Sequence, residues 1–356
     1  MYKKIKIENF RGMANLELND PQQFNLFVGK NNCGKTSLLE SIFLLTGPTN
    51  VDLPVRINFF RGYHLSGEYS WELLFNKMET HSPIRLYGDI PQLKEERWLT
   101  IKPLKEESFS KVDPHVPLFS IEDSQVSRAN RTNGLSMELK IQGSEKKKPQ
   151  TFLSEIRVTG ENTGKNSPKS FPSSFPGIFL TPRTINPDEA RRFNEVQIRK
   201  QEKSILKILQ KVEPQLADLS IGADNILYCD MGFPKRLPLN VAGEGLKNLL
   251  STILAIYNAS GGVVLIDEIE NGFHYLTQEI LWEAIFEAAI TFDVQVFATT
   301  HSYENVQAYS AAYEKLKDKD DLLRLFRMEK ELDTIKLVDF NHEMLKAAIE
   351  SYWEVR

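Results

Sequence analysis

Two segments far apart in this chain have to lie side by side, and that requirement constrains its fold more than any other feature. The first is FNLFVGKNNCGKTSLLESIFLL, Phe24 to Leu45: a short apolar run, a glycine-bracketed loop, then apolar residues at helical spacing, Leu38, Leu39, Ile42, Phe43 and Leu45. The second is VVLIDEIE, Val263 to Glu270, in which four apolar residues deliver Asp267 and Glu268. Gly29 to Thr36 fit G-x-x-x-x-G-K-[ST], a loop whose backbone N–H groups cradle phosphate. An acid-ended strand completes such a loop only when both strands share one sheet. The expectation is therefore a split α/β nucleotide-binding domain.

The chain between these segments has a different texture. IRLYGDI, RWLTIKPL, LSMELKIQG and TFLSEIRVTG are short alternating stretches separated by polar turns, which predicts an antiparallel β-rich lobe over residues 51–177. GSEKKKPQ and GENTGKNSPKSFPSSFPG read as exposed loops, with the Lys146 to Lys148 run at a solvated hairpin tip. Residues 1–50 and 178–356 then form the core of a single split domain. YKKIKIENF and LELND read as an opening hairpin. A long helical pattern runs from Pro187 to Leu219, with Ile205, Ile208, Leu209 and Val212 on one stripe. NILYCDM reads as a strand, GLKNLLSTILAIYNAS and LTQEILWEAIFEAAI as helices, and VQVFATTHS as a buried strand. The tail adds a helix, a hairpin (LLRLFRMEKE with DTIKLVDF) and a last helix.

Four groups of residues carry the chemistry. In the loop, Gly29, Lys30, Asn31, Asn32, Cys33, Gly34 and Ser37 surround the phosphates. Lys35 reaches the β- and γ-phosphates, and the Thr36 hydroxyl ligates Mg²⁺. Cys33 fills a position that needs a small side chain. Asp267 holds the metal through its hydration shell, and Glu268 polarises the attacking water as general base. His301, just past a second buried strand, senses the γ-phosphate. Finally, Gly243, Glu244 and Gly245 head a helix whose free N–H groups can take phosphate. One chain cannot easily wrap both sides of a nucleotide, so a head-to-tail pair of subunits is expected, each lending this helix to the other.

With these motifs in order, the chain resembles the ABC-type ATPase heads of the SMC, RecF and OLD (overcoming lysogenization defect) group. IKIENFRG resembles that group's opening strand and Asn-Phe-Arg turn, GKNNCGKTSLLESI its Walker A, LIDEIENGFH its Walker B and D-loop, and ATTHS its histidine switch. AGEGLKN stands where the signature motif belongs and departs from LSGGQ. The resemblance implies a mixed central sheet with helices and a β-rich lobe. It also implies ATP and Mg²⁺ as ligands, Arg11 near the nucleotide, and Asn271 and Gly272 at a dimer interface. No glutamine is placed as a Q-loop residue. The chain lacks a long coiled coil, and the tail after His301 carries no second strand-and-acid constellation for a nuclease. The nearest likeness is a stand-alone OLD-like AAA ATPase. Such proteins are often encoded beside a separate effector in bacterial anti-phage or toxin–antitoxin-like systems.

Composition narrows the partners. A net charge of −4 gives no global basic signal, so DNA, as in a RecF-like repair ATPase, stays the alternative partner rather than the first. Two cysteines, Cys33 and Cys229, make no disulfide framework and suit a cytoplasmic protein. No window approaches a membrane-spanning run of apolar residues.

Overall fold

A computed structural model of the chain describes residues 1–63, 70–105, 132–143, 148–159, 162–168, 171, 175–182, 189–316, 321–331, 334–351 and 353–355. Its centre is a six-stranded sheet. Strand β3 (Phe24–Val28), the one that feeds the glycine loop, is buried at every residue. Parallel to it on one side run β14 (Gln295–Thr299), β13 (Val263–Ile266) and β9 (Gly177–Leu180). On the other side β15 (Leu323–Glu331) is parallel to β3, and β16 (Thr334–Phe340) closes the edge as the antiparallel arm of the expected hairpin. Strands covered on both faces are apolar at nearly every position, which is why VVLI and FNLFV do not alternate.

The two faces of this sheet belong to different cores. Phe24, Leu26, Val264, Ile266, Val296 and Ala298 point toward helices α5 (Glu244–Asn258), α6 (Gln278–Thr291), α7 (Tyr303–Glu314) and α8 (His342–Glu350). Phe27, Val263, Leu265 and Phe297 point toward α1 (Lys35–Thr46). Helix α1 is buried nearly all round, because a second sheet covers its far side.

That second sheet is antiparallel and has seven strands. Its order is β2 (Met13–Asn19), β1 (Lys4–Phe10), β4 (Ile84–Ile90), β5 (Glu95–Lys105), β6 (Thr132–Gly143), β7 (Gln150–Thr159) and β8 (Asn162–Asn166). Ile5, Ile7, Leu86, Leu99 and Ile101 face α1 in strict alternation. The sheet crosses the expected boundary at residue 50, since β1 pairs with β4 from Lys4↔Asp89 to Glu8↔Arg85. The opening hairpin thus shares its ladder with the middle of the chain.

Three local expectations change. The pattern from Pro187 to Leu219 is two helices, α3 (Glu189–Ile198) and α4 (Glu202–Leu209), followed by β10 (Asp218–Ile221). Lys200 takes φ 56°, and the Gln201 N–H closes back on the Val196 carbonyl at 3.0 Å, which ends α3. Strand β10 pairs with β11 (Leu227–Asp230), and β12 (Leu237–Pro238) completes a small sheet just before α5. The segment from Gly160 was expected as loop, yet Asn162–Asn166 pairs with β7. Helix α2 (Asp52–Phe60) stands inside the stretch expected to be β-rich. Lys146 and Lys147 lie outside the described residues; β6 and β7, which flank that run, do pair as a hairpin.

Candidate nucleotide site

Because β3, β13 and β14 are parallel and in register (Phe27↔Thr299, Ile266↔Ala298), their carboxyl ends stop at one edge. The glycine loop, the acid pair and His301 all emerge there. Gly29 has φ 143°, and a Cβ on it would sit 2.6 Å from the Met328 carbonyl of β15, so only glycine lets the loop leave the sheet at this point. Gly34, at φ 104°, caps α1 with no side-chain hydrogen bond, which leaves first-turn N–H groups for an anion.

Lys35 folds over its own loop. Its ammonium donates to the carbonyls of Gly29 (2.7 Å) and Lys30 (3.2 Å) and lies 3.8 Å from Cys33 Sγ. Burial pushes the ammonium below its ordinary value, while Cys33, Asp267 and Glu270 pull the other way. Cys33 is buried, as its small-side-chain role requires. Lys30, Asn31 and Asn32 are exposed on the rim or close to it. With Gly29 and Cys33 they wall a cleft of about 1030 Å³ that also touches His301 and Arg327.

Thr36 and Asp267, 231 residues apart, meet directly. The Thr36 hydroxyl donates to Asp267 Oδ2 at 2.9 Å, and the Thr299 hydroxyl donates to Oδ1 at 2.7 Å. Thr299 Oγ1 in turn accepts the Glu268 N–H at 2.9 Å. This oxygen-only donor set fits a hard cation such as Mg²⁺, which Thr36 and Asp267 would hold. Glu268 takes φ 53°, a strained conformation for a side chain of its size, and its carboxylate is half exposed. His301 Nε2 stands 3.9 Å from Glu268 Oε1, and the His301 N–H donates to Glu270 Oε1 at 2.8 Å.

Arg11, expected near the nucleotide, is turned into the protein, and a second arginine, Arg61, stands beside it. Arg11 Nε lies 2.6 Å from Glu40 Oε2, and its other nitrogens donate to Asn58 Oδ1 (3.0 Å) and to the Leu73 carbonyl (3.3 Å). It is nearly buried, and burial pulls its guanidinium down to about 10 against the opposing charge of Glu40. Its Nη donors are therefore spent inside the protein, while Nε is buried against the Glu40 carboxylate without a hydrogen bond of its own. Arg61, just past α2, donates to both Glu40 oxygens (2.7 and 3.0 Å) and to Ser37 Oγ (3.1 Å). Burial opposes its charge, but Glu40 and Asp267 hold its guanidinium above the ordinary value. It lines a cavity of about 410 Å³ shared with Thr36, Asp267, Glu268 and Thr181. Ser37 is held by this arginine rather than facing outward.

Gly243 has φ 113°, and α5 begins after it with no side-chain cap. Glu244 and Gly245 pack against the turn of Asn271 and Gly272, and Glu244 shares a cavity of about 220 Å³ with Asp267 and Glu268. This glycine-headed helix does not line the cleft around Gly29 to Cys33.

The sequence profile described as "AAA domain, putative AbiEii toxin, Type IV TA system" matches residues 24–306, from β3 to the first turn of α7. The chain belongs to this family. The fold is an α/β arrangement in which a mostly parallel sheet delivers the glycine loop and the acid pair to one edge. An ATP/GTP phosphatase of Helicobacter pylori is 24% identical over 331 residues, 86% of this chain and 87% of its own. The DNA replication and repair protein RecF of Citrifermentans bemidjiense is 52% identical over 42 residues, 12% of either chain. The Smc head domain with an extended coiled coil, bound to the C-terminal domain of ScpA and derived from Pyrococcus furiosus, aligns at 10% identity. It covers 99% of both chains at a TM-score of 0.49.

Arg61, Thr299, Glu270 and Thr181 were not singled out from the sequence. Thr299 was within reach, since a strand ending two residues before a candidate histidine points a side chain at the neighbouring strand's acid. Arg61 carried no such signal.

Proposed function

We propose that this family member is a Mg²⁺-dependent ATPase that dimerises around two nucleotides and uses its ATP state to control a separate effector protein in the cytoplasm, in anti-phage defence. The observation that carries the ATPase reading is Asp267 bonded to Thr36 on the phosphate loop and to Thr299 on the neighbouring strand, with Glu268 and His301 beside it. Lys35 would leave its loop carbonyls for the β- and γ-phosphates. Arg61 faces the same space as a fixed cation, and Glu268 takes the proton of the attacking water, with His301 orienting it. Mg²⁺, when bound, neutralises charge on the phosphate oxygens.

Support for the dimer comes from the uncapped α5 and from apolar side chains exposed around it: Val241 before the helix, and Tyr275 and Leu276 after the Asn271–Gly272 turn. The family's description, which names a toxin–antitoxin system, supports a second gene product as the controlled partner. Among the described residues no helix is long and apolar enough to cross a membrane.

The short RecF match favours a second reading, ATP-dependent DNA binding. On the outer face of the antiparallel sheet, however, Lys4 and Lys6 are paired with Glu17, Arg85 with Glu8, and Lys140 with Glu138. Such pairing leaves little uncompensated charge for phosphate. DNA affinity that rises with ATP and falls steeply with salt would favour this second reading. Glu268→Gln tests the first. It should bind ATP, turn over about 100-fold more slowly or worse, and accumulate as a dimer in light scattering. Wild-type turnover would remove Glu268 as the base.

A further inference from the structure

Two carboxylates meet His301 from opposite ends. Glu268 Oε1 faces the imidazole, 3.9 Å from Nε2, and Glu270 Oε1 accepts the His301 N–H at 2.8 Å. The residues on either side of His301 are fixed by other bonds. The Thr300 N–H donates to the Phe27 carbonyl at 3.1 Å, which keeps Thr300 against β3. The Ser302 N–H donates to Thr300 Oγ1 at 3.1 Å, and Ser302 Oγ caps α7 by accepting the Asn305 N–H at 3.1 Å. Between them, the His301 N–H goes to Glu270. On the acid side the Ile269 N–H donates to the Thr299 carbonyl at 3.0 Å, so the two strand ends are locked together one residue before Glu270.

The bond to His301 is costly as built. Glu270 Oε2 is buried without a hydrogen-bond partner, so half of the carboxylate goes unsatisfied. A neutral amide could accept the same N–H with no buried charge. What the carboxylate adds is a stronger, charge-assisted bond, placed on the backbone of the residue whose ring faces Glu268.

We infer that Glu270 is a positioning residue: its carboxylate fixes the His301 backbone so that the imidazole stands beside Glu268, and it reaches the reaction only through His301. This rests on the reading above that His301 orients the attacking water. Glu270 also opposes the burial of the Lys35 ammonium, which offers a competing route to the nucleotide.

A double-mutant cycle on steady-state turnover separates these possibilities. Glu270→Ala should lower kcat about fivefold to tenfold with little change in KM. His301→Ala should lower it at least as far, and the double variant should be no slower than His301→Ala alone. Glu270→Gln keeps an acceptor for the N–H and should recover part of the loss. Losses that multiply in the double variant would show that Glu270 acts apart from His301, and the inference fails while the reading of His301 stands. A loss carried by KM would place the effect on Lys35 and also overturns it. Wild-type turnover by His301→Ala removes the reading of His301 and the inference with it. Should Glu270→Ala fail to fold, the same cycle with Glu270→Gln decides. A loss of about threefold that vanishes on the His301→Ala background supports the inference, and an equal loss on both backgrounds overturns it.

Discussion

Neutralising Glu40 should destabilise the protein far more than removing the arginine that faces the site. Glu40 is 1% exposed and sits between Arg11, whose side chain is 8% exposed, and Arg61, at 35%. Glu40→Gln leaves the Arg11 cation buried without its counter-charge, which costs about 3–5 kcal/mol. With a urea m-value of about 3 kcal/mol/M, the unfolding midpoint would drop by about 1–1.7 M. Arg61→Met leaves Glu40 still paired with Arg11, and the lost pair is partly screened by solvent, so its cost is about 1 kcal/mol. The activity order should be the reverse of the stability order per kcal lost, because Arg61 shares its cavity with Thr36, Asp267 and Glu268. A third variant isolates the cause. Arg11→Met combined with Glu40→Gln removes the nearly buried Arg11 charge together with its partner, leaving only the partly exposed Arg61, and should recover about 2 kcal/mol or more of the single-variant loss. Urea unfolding followed by circular dichroism, with ATPase assays on the folded variants, gives the comparison. Equal destabilisation by Arg61→Met and Glu40→Gln would refute the reasoning, as would a double variant no more stable than Glu40→Gln alone.

Lys35→Ala should abolish nucleotide binding in calorimetry, and wild-type affinity would sink the phosphate-loop assignment. Thr299→Val removes the donor to Asp267 and the acceptor of the Glu268 N–H. It should cost about 1–3 kcal/mol of stability and raise the Mg²⁺ concentration needed for half-maximal turnover; a magnesium titration that superimposes on the wild type would exclude Thr299 from holding Asp267 in place.

The fold was legible where burial leaves a one-dimensional trace. Two-sided burial makes β3, β13 and β14 continuous apolar runs, and one-sided burial makes β1, β4 and β5 alternate, so both sheets could be anticipated from period alone. What period cannot reveal is which sheet a strand joins. The hairpin of β1 and β2 lies next to the nucleotide segment in sequence, yet its ladder partner is β4, about eighty residues on. Nor does helical spacing mark its own end: Lys200 stops α3 through a left-handed φ at a residue type that gives no warning of it.

The site divides along the same line. Lys35, Thr36, Asp267 and Glu268 announce themselves because their chemistry depends on backbone geometry, and that geometry demands glycines and strand ends at fixed offsets. Arg61 depends instead on what happens to stand across from it. Arg61 reaches the cavity only because Glu40, one turn after Thr36 on α1, holds it there, and Glu40 can be buried only because Arg11 arrives from the antiparallel sheet. Two residues thus fix the Arg61 cation, Glu40 on α1 and Arg11 in the turn between β1 and β2, and no local pattern encodes that arrangement. The resemblance placed Arg11 near the nucleotide, and the structure shows what that arginine does in the free chain: it neutralises the carboxylate that orients Arg61. A shift of the antiparallel sheet against α1 would therefore move the Arg61 cation beside Thr36 and Asp267.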